Sequence, residues 1–227
     1  MDKDYIITID GPVGSGKSTI GKKLAKRRGM VYLDTGAMYR VVGLESKKRG
    51  ISPDDQAGLK KLCEDIKISF KQAKDGQKVF SSGEDVTDAI RLPEISMLAS
   101  RVSAEKPVRE ALVFLQRDVG RDGNIVVDGR DAGTVIFPNA RFKFYLDASV
   151  EERAKRRHKE LVDKELEVSY TKIFQDIEKR DKDDSTRSLS PLKPAEDAVI
   201  IDTTSMSIED VLDAIGNKIN SFTDSVS

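Results

Sequence analysis

One eight-residue segment restricts the fold of this chain more than any other: Gly11-Pro12-Val13-Gly14-Ser15-Gly16-Lys17-Ser18. It fits G-x-x-x-x-G-K-[ST] at every fixed position, follows the short apolar run 5–9, and precedes apolar residues at helical spacing. Strand, glycine loop and helix are thus in the order of a P-loop, whose backbone N–H groups bind phosphate. We expect Gly11 through Thr19 to bind a nucleoside triphosphate, with Lys17 at its β/γ-phosphates and Ser18 as a Mg²⁺ ligand.

Composition excludes several classes of protein. The 227 residues suffice for one substantial core with an inserted subdomain. Lys plus Arg and Asp plus Glu are equal at 39 each, so charge does not favour nucleic acid as a partner. A single cysteine, Cys63, allows no intrachain disulfide, and a single histidine, His158, allows no histidine-based triad or multi-histidine zinc site. With no bilayer-length apolar run and no room for a signal peptide, we expect a soluble, cytoplasmic monomer without a membrane partner.

Strand-like apolar runs alternate with helical patterns along most of the chain. The strands are expected at 5–9, 31–33, 125–127, 142–146 and 199–201, and the helices near 17–28, 36–49, 149–163, 169–183 and 207–220. This alternation predicts an α/β fold with a five-stranded parallel sheet flanked by helices. Asp10, Asp34 and Asp128 end three of the strands, and ligands of such sheets bind at the carboxyl ends of the strands.

The segment 66–90 interrupts this alternation. Short strand-like pieces at 66–70, 77–81 and 84–86 are separated by the turn signals Asp75-Gly76 and Ser82-Gly83, which predicts a small antiparallel sheet. Helical stretches follow at 92–104 and 106–119. We therefore expect an inserted subdomain of antiparallel strands plus helix over about 63–105.

Three polar segments are candidates for substrate chemistry. Asp34-Thr35-Gly36-Ala37-Met38-Tyr39-Arg40 starts a helix and offers an anion site, or else an ordinary turn capped by Thr35. Asp128-Gly129-Arg130-Asp131 follows a buried strand and places Asp128 where P-loop proteins hold Mg²⁺, with Arg130 and Asp131 expected to hold substrate, or else forms a polar turn with an internal ion pair. The segment 180–187 contains Arg180 and Arg187, which suit a lid over transferring phosphate, or else a solvated face. The basic helix 151–159 offers a further lid arginine among Arg153, Arg156 and Arg157, or a solvated face.

These segments together resemble the bacterial cytidylate kinases of the nucleoside monophosphate kinase superfamily, over about residues 4–220. The resemblance rests on Ile9-Asp10-Gly11-Pro12, the segments 34–40 and 128–135, Ala99-Ser100-Arg101-Val102, 107–112, and 180–187 with 191–195. The chain has Thr35 where many relatives have serine, and Gly-Lys-Ser-Thr where some have Gly-Lys-Gly-Thr; both retain the required hydroxyl or backbone.

The resemblance implies residue roles. Ser100, Arg109 and Asp131 are expected to recognise cytosine, and Thr35, Arg40 and Arg130 to hold the acceptor phosphate. Arg180 and Arg187 are expected to clamp phosphate, and Asp184 to reach the ribose. It also implies one P-loop kinase domain, 1–220, with a core (about 1–62, 106–150 and 195–220), a monophosphate-binding insertion (63–105) and a helical lid (151–194), followed by a flexible tail, 221–227.

The expected reaction is therefore Mg²⁺-dependent transfer from ATP to CMP, and also to dCMP. We expect Lys17, Arg130, Arg180 and Arg187 to be catalytic, and Ser18 and Asp128 to hold the metal. Two alternatives remain open: a P-loop kinase for UMP, dTMP or a small metabolite, and a P-loop switch or nucleic-acid-binding module.

Overall fold

A computed structural model describes residues 5–73, 76–163, 165 and 167–224. The chain forms two compact units. The first comprises Met1–Leu33 with Gly120–Ser227, and the second is Asp34–Val119. The predicted insertion, 63–105, falls inside the second unit.

The larger sheet is five-stranded. Its strands are β1 (Ile6–Asp10), β2 (Val31–Asp34), β6 (Ile125–Gly129), β7 (Phe142–Asp147) and β8 (Val199–Asp202), in the spatial order β2-β6-β1-β7-β8. β1 pairs in parallel with both β6 and β7, and β7 pairs in parallel with β8. The predicted parallel sheet is confirmed, and each strand bound lies within two residues of the prediction. The carboxyl ends of β1, β6 and β7 consequently lie side by side.

Among its described residues, the first unit has the helices α1 (Lys17–Arg28), α6 (Val150–Val162), α7 (Tyr170–Thr186) and α8 (Ile208–Asp224). α1 buries Ile20, Leu24 and Ala25 against the sheet and ends at Gly29, whose left-handed backbone caps it. α8 adds Val211, Leu212, Ile215 and Ile219 to the same core. The α6–α7 hairpin has an apolar cluster of its own, formed by Ala154, Leu161, Ile173 and Ile177.

The second unit combines helices with the predicted antiparallel sheet. It contains α2 (Thr35–Lys48), α3 (Gln56–Asp65), β3 (Ile68–Ala73), β4 (Gly76–Ser81), β5 (Glu84–Asp85), α4 (Pro93–Val102) and α5 (Lys106–Val119), with a short 3-10 turn at Ala89–Arg91. The strand order is β3-β4-β5, and both pairings are antiparallel. Of the predicted turn Asp75-Gly76, Asp75 lies outside the described residues.

The structure adds elements that the sequence patterns did not predict. α3 is capped by the Asp55 carboxylate, which accepts the Gly58 N–H at 2.9 Å, and Leu59, Leu62 and Cys63 form its buried face. A π-helical turn, Ala132–Ile136, follows β6. α8 continues to Asp224, beyond the predicted end at 220; of the predicted flexible tail, residues 225–227 lie outside the described residues.

In the part of the chain that the structure describes, every helix is too short or too polar to traverse a lipid bilayer.

Candidate active site

The loop between β1 and α1 has the backbone of a phosphate-binding loop. Gly11, Gly14 and Gly16 all have positive φ. At Gly11 a side chain is also excluded by space, because a Cβ there would collide with the carbonyl oxygen of Leu146. The loop therefore packs against the end of β7 and leads into α1, whose first N–H groups are available to an anion.

Lys17 is buried at the start of α1. Its Nζ donates to the carbonyl oxygen of Pro12 at 2.6 Å. Burial is the main reason why the pKa of Lys17 lies well below its ordinary value; Arg130 and Arg180 lower this pKa further, while Asp128 and Asp10 oppose the shift. A bound polyphosphate would add negative charge beside the ammonium and so oppose this lowering of the Lys17 pKa.

A cavity of about 580 Å³ opens beside the loop. Residues from Val13 to Ile20 form one wall, α6 contributes Glu152, Arg156, Arg157 and Glu160, and the start of α8 with the preceding turn contributes Thr203, Met206, Ser207, Ile208 and Val211. Arg156 fixes that turn by donating to the carbonyl oxygen of Thr203 at 2.6 Å and to its Oγ1 at 3.1 Å. The cavity has a charged wall and an apolar end, which suits a nucleotide whose phosphates lie on the loop.

Asp128 lies at the end of β6, beside Ile9 of β1. Its buried carboxylate accepts a hydrogen bond from the Tyr32 hydroxyl at 2.8 Å. Ser18 follows Lys17 on α1, is exposed, and lines the cavity. A carboxylate and a hydroxyl are hard oxygen ligands, so these residues fit Mg²⁺ that is shared with phosphate oxygens.

Three arginines surround the buried carboxylate of Asp184. Arg130 Nε lies 3.0 Å from Oδ2, Arg180 Nε lies 4.0 Å from the same oxygen, and Arg187 Nη1 lies 3.7 Å from Oδ1. Burial acts to raise the pKa of Asp184, but the three arginines outweigh it and hold this pKa below its ordinary value. With three cations on one carboxylate, the cluster retains net positive charge and is suited to bind a phosphoryl group.

Arg153 connects the P-loop with α7. Its buried guanidinium donates to the carbonyl oxygens of Ala148 and Val13, at 2.9 and 3.2 Å. Nη2 forms an ion pair of 2.6 Å with Asp181 on α7, the neighbour of Arg180. Arg153 therefore supports the positions of the phosphate-binding groups. It does not present its charge at the surface, as a solvated helix face would require.

The second unit contains another group of predicted site residues. Asp34, and not Thr35, caps α2 through its side chain, which accepts the Ala37 N–H at 2.8 Å; the alternative of a Thr35 cap is therefore wrong. The other carboxylate oxygen of Asp34 pairs with Arg40 Nη2 at 2.9 Å. Thr35 is buried in the first turn of the helix. Arg40 is thus held by a carboxylate at the N-terminus of α2.

Arg109 is buried on α5. Its Nη1 donates to the Tyr39 hydroxyl at 3.2 Å and to the carbonyl oxygen of Ser103 at 3.1 Å, and its guanidinium lies 5.5 Å from the centre of the Tyr39 ring. The Ser103 hydroxyl in turn donates to the carbonyl oxygen of Ser100 at 2.8 Å. A buried guanidinium held by these contacts has a defined orientation.

A family model described as "Cytidylate kinase" matches residues 7–221. The chain belongs to the cytidylate kinase family. A cytidylate kinase of Geobacter sulfurreducens is 51% identical over 93% of this chain and 91% of its own length. That of Bacillus subtilis is 47% identical over 95% of this chain and 96% of its own length. A solved structure of an uncharacterized protein from Eubacterium ventriosum, 14% identical, covers 96% of this chain and 99% of its own with a TM-score of 0.53, which supports the fold alone.

In this cytidylate kinase family member, the predicted site residues are divided between the two compact units. The first unit contains the P-loop, Asp128, Arg130, Asp131, Arg180, Asp184 and Arg187. The second contains Thr35, Arg40, Ser100 and Arg109. Sequence reasoning did not identify the supporting contacts of Tyr32, Tyr39 and Asp10. Asp10 had a signal as an acid at the end of a buried strand, and Tyr39 lies in the candidate segment 34–40, but no pattern indicated Tyr32.

Proposed function

We propose that this cytidylate kinase family member transfers the γ-phosphoryl group of ATP to CMP, giving ADP and CDP, and uses dCMP in the same way, within pyrimidine nucleotide metabolism. The observation that carries the proposal is the match to cytidylate kinases at 47–51% identity over nearly the whole chain. The P-loop, the cavity and the arginine cluster of the first unit are the groups that such a transfer needs.

ATP is proposed to bind with its phosphates on Gly11 through Thr19 and its base in the 580 Å³ cavity. Support comes from the open N-terminus of α1 and from Lys17, which is buried at the start of that helix. Met206, Ile208 and Val211 supply the apolar contacts that a purine ring requires.

Ser18 and Asp128 are the proposed protein ligands of Mg²⁺, with Asp128 acting directly or through water. When bound, the ion would neutralise part of the phosphate charge. The hydroxyl of Tyr32, on β2 of the sheet, donates to the Asp128 carboxylate. This contact orients the carboxylate through the protein itself and needs no bound nucleotide.

CMP is proposed to use Ser100, Arg109 and Asp131 for its base, Thr35, Arg40 and Arg130 for its phosphate, and Asp184 for its ribose. Cytosine presents two acceptors, O2 and N3, and a donor amine, so an arginine, a hydroxyl and a carboxylate complement it. The buried, hydrogen-bonded Arg109 supports this role because base discrimination needs a fixed donor.

The proposed chemistry is one in-line displacement. An oxygen of the CMP phosphate, already anionic at neutral pH, forms a bond to the γ-phosphorus while the bond to the β,γ-bridging oxygen breaks. No proton transfer and no covalent enzyme intermediate are needed. Lys17, Arg130, Arg180 and Arg187 neutralise the charge on the transferring group and position it. The single cysteine suits a reducing compartment, and we place the reaction in the cytoplasm and assign it to a monomer.

The test is ADP formation from ATP and Mg²⁺ with CMP, dCMP, UMP, AMP, dTMP or no acceptor. We expect turnover with CMP and dCMP to exceed all other acceptors. Preference for UMP would retain the kinase chemistry and overturn the base assignment. Hydrolysis that is independent of any acceptor would contradict the kinase proposal and favour a P-loop switch.

A further inference from the structure

Asp10 is the last residue of β1 and directly precedes the P-loop. Its buried carboxylate accepts two backbone hydrogen bonds, from Ala132 N–H at 2.8 Å on Oδ1 and from Gly133 N–H at 2.7 Å on Oδ2. Ala132 and Gly133 directly follow Arg130 and Asp131 in the chain. One side chain at the start of the P-loop thus holds the backbone from which the proposed CMP-binding residues project.

Gly133 shows how close this approach is. A Cβ at Gly133 would lie 2.8 Å from Thr8 Oγ1 and 3.3 Å from Asp10 Oδ2. The first of these distances is too short for a real side chain, so only glycine allows the turn to contact β1 without displacement. The turn is also π-helical, a rare conformation that is often found at functional sites.

The charges around Asp10 belong to the same site. Burial is the main cause that raises the pKa of Asp10, to about 7; the two N–H donors and Lys17 lower it, and Asp131 raises it. The energetic cost of burying the ionised Asp10 carboxylate is therefore not fully compensated by these partners. A buried acid of this kind costs stability and is more common at functional sites than in structural cores.

We propose that Asp10 is a positioning residue for the acceptor: it clamps the Ala132–Gly133 backbone so that Arg130 and Asp131 are presented to CMP from a fixed point on the P-loop strand. The register supports this, since Asp10 lies opposite Gly129, the residue before Arg130. The inference rests on the proposed roles of Arg130 and Asp131. It adds that the donor loop and the acceptor-binding turn share a single anchor, which substrate itself does not touch.

The test is Asp10→Asn. The amide oxygen can accept one of the two N–H groups, but the amide NH₂ faces the other, so the turn must shift. A displacement of about 1 Å lowers rate by about 10²-fold when the displaced groups are catalytic. We therefore expect kcat/KM for CMP to fall by about 10- to 100-fold, while KM for ATP changes by less than about threefold.

Asp202→Asn is the matched control. Asp202 also ends a strand and accepts a backbone N–H, from Thr204 at 2.9 Å, but it is exposed and lies outside the cavity wall. We expect its kinetics to stay within about twofold of the unmodified chain, because a single exposed amide substitution seldom changes more. Gly133→Ala disturbs the same clamp from its other side and should reproduce the selective loss with CMP.

Each outcome bears on the proposal. A folded Asp10→Asn variant with unchanged CMP kinetics would overturn it, as would a KM for ATP that rises as much as the KM for CMP. If Asp10→Asn does not fold, Gly133→Ala decides in the same way. Arg130→Met is measured in parallel: if it leaves CMP turnover intact, the proposed role of Arg130 fails, whatever Asp10 does.

Discussion

Asp181→Ala removes the carboxylate that pairs with the buried Arg153, and it should destabilise the fold measurably. Breaking a fully buried ion pair costs about 3–5 kcal/mol, and breaking an exposed pair costs about 0–1 kcal/mol. Arg153 is only 4% exposed, but Asp181 is 23% exposed, so water partly compensates for the loss. We therefore expect the unfolding free energy to fall by about 2–3 kcal/mol.

For a chain of this length, each 1 kcal/mol corresponds to about 2–4 °C in Tm, so the expected decrease is about 4–12 °C. Thermal unfolding of the full chain, followed by circular dichroism without ligand, measures it. Asp183→Ala is the matched control, because Asp183 lies on the same helix and is exposed. We expect the control to change Tm by no more than about 2 °C, since exposed substitutions seldom exceed about 0.5 kcal/mol.

Asp181→Ala should also change the kinetics. Asp181 adjoins Arg180 on α7, and Arg187 follows at the end of that helix. Loosening α7 from Arg153 should therefore lower kcat more than it raises KM for ATP, because the P-loop contacts are retained. Equal Tm values for Asp181→Ala and Asp183→Ala would refute the reasoning, and so would a variant whose only defect is weaker ATP binding.

Three further predictions concern charge. Lys17→Ala should lower kcat/KM by at least about 10³-fold in a steady-state assay without loss of the fold, because a group that neutralises the transferring phosphoryl is lost; normal turnover would contradict the phosphate assignment. Arg109→Met should impair CMP use while direct titration shows unchanged ATP binding; equal loss of both would count against recognition of cytosine. Asp184, whose pKa is lowered in the fold, contributes stability that is complete above its unfolded pKa of about 4 and is lost as pH falls below that value. The Tm advantage of the unmodified chain over Asp184→Asn should accordingly shrink below about pH 4, and a constant difference would show that the carboxylate charge is not involved.

Much of this fold is encoded in local patterns. The apolar runs predicted the strands, and the spacing of Ile20, Leu24 and Ala25 predicted α1. This is possible because a helix buried on one face repeats its apolar residues at a regular interval in the sequence. α3 was not predicted, because its apolar face, Leu59, Leu62 and Cys63, is short and lies among polar residues. The π-helical turn at Ala132–Ile136 could not be predicted either, since it depends on Asp10, more than 120 residues away in the chain.

The residues of the candidate site likewise divide into those that the sequence identified and those that only the structure shows. P-loop and strand-end residues were identifiable because their motifs have fixed spacing. Supporting contacts were not, because Tyr39 meets Arg109 and Tyr32 meets Asp128 only after the chain has folded. Arg153 illustrates the limit: in the sequence it is one of several arginines in a basic helix, and only the structure distinguishes it as buried.

The α6–α7 hairpin has an apolar interior separate from the core of the sheet. Ala154, Leu161, Ile173 and Ile177 form their own cluster, while the sheet and α8 form another. Substitutions among the apolar residues of the hairpin therefore do not enter the core of the sheet. Val13 of the P-loop packs against the same small cluster, so such substitutions also reach the phosphate-binding loop. The apolar interior of the hairpin is therefore a part of this chain where substitutions can act on the phosphate-binding loop without entering the core of the sheet.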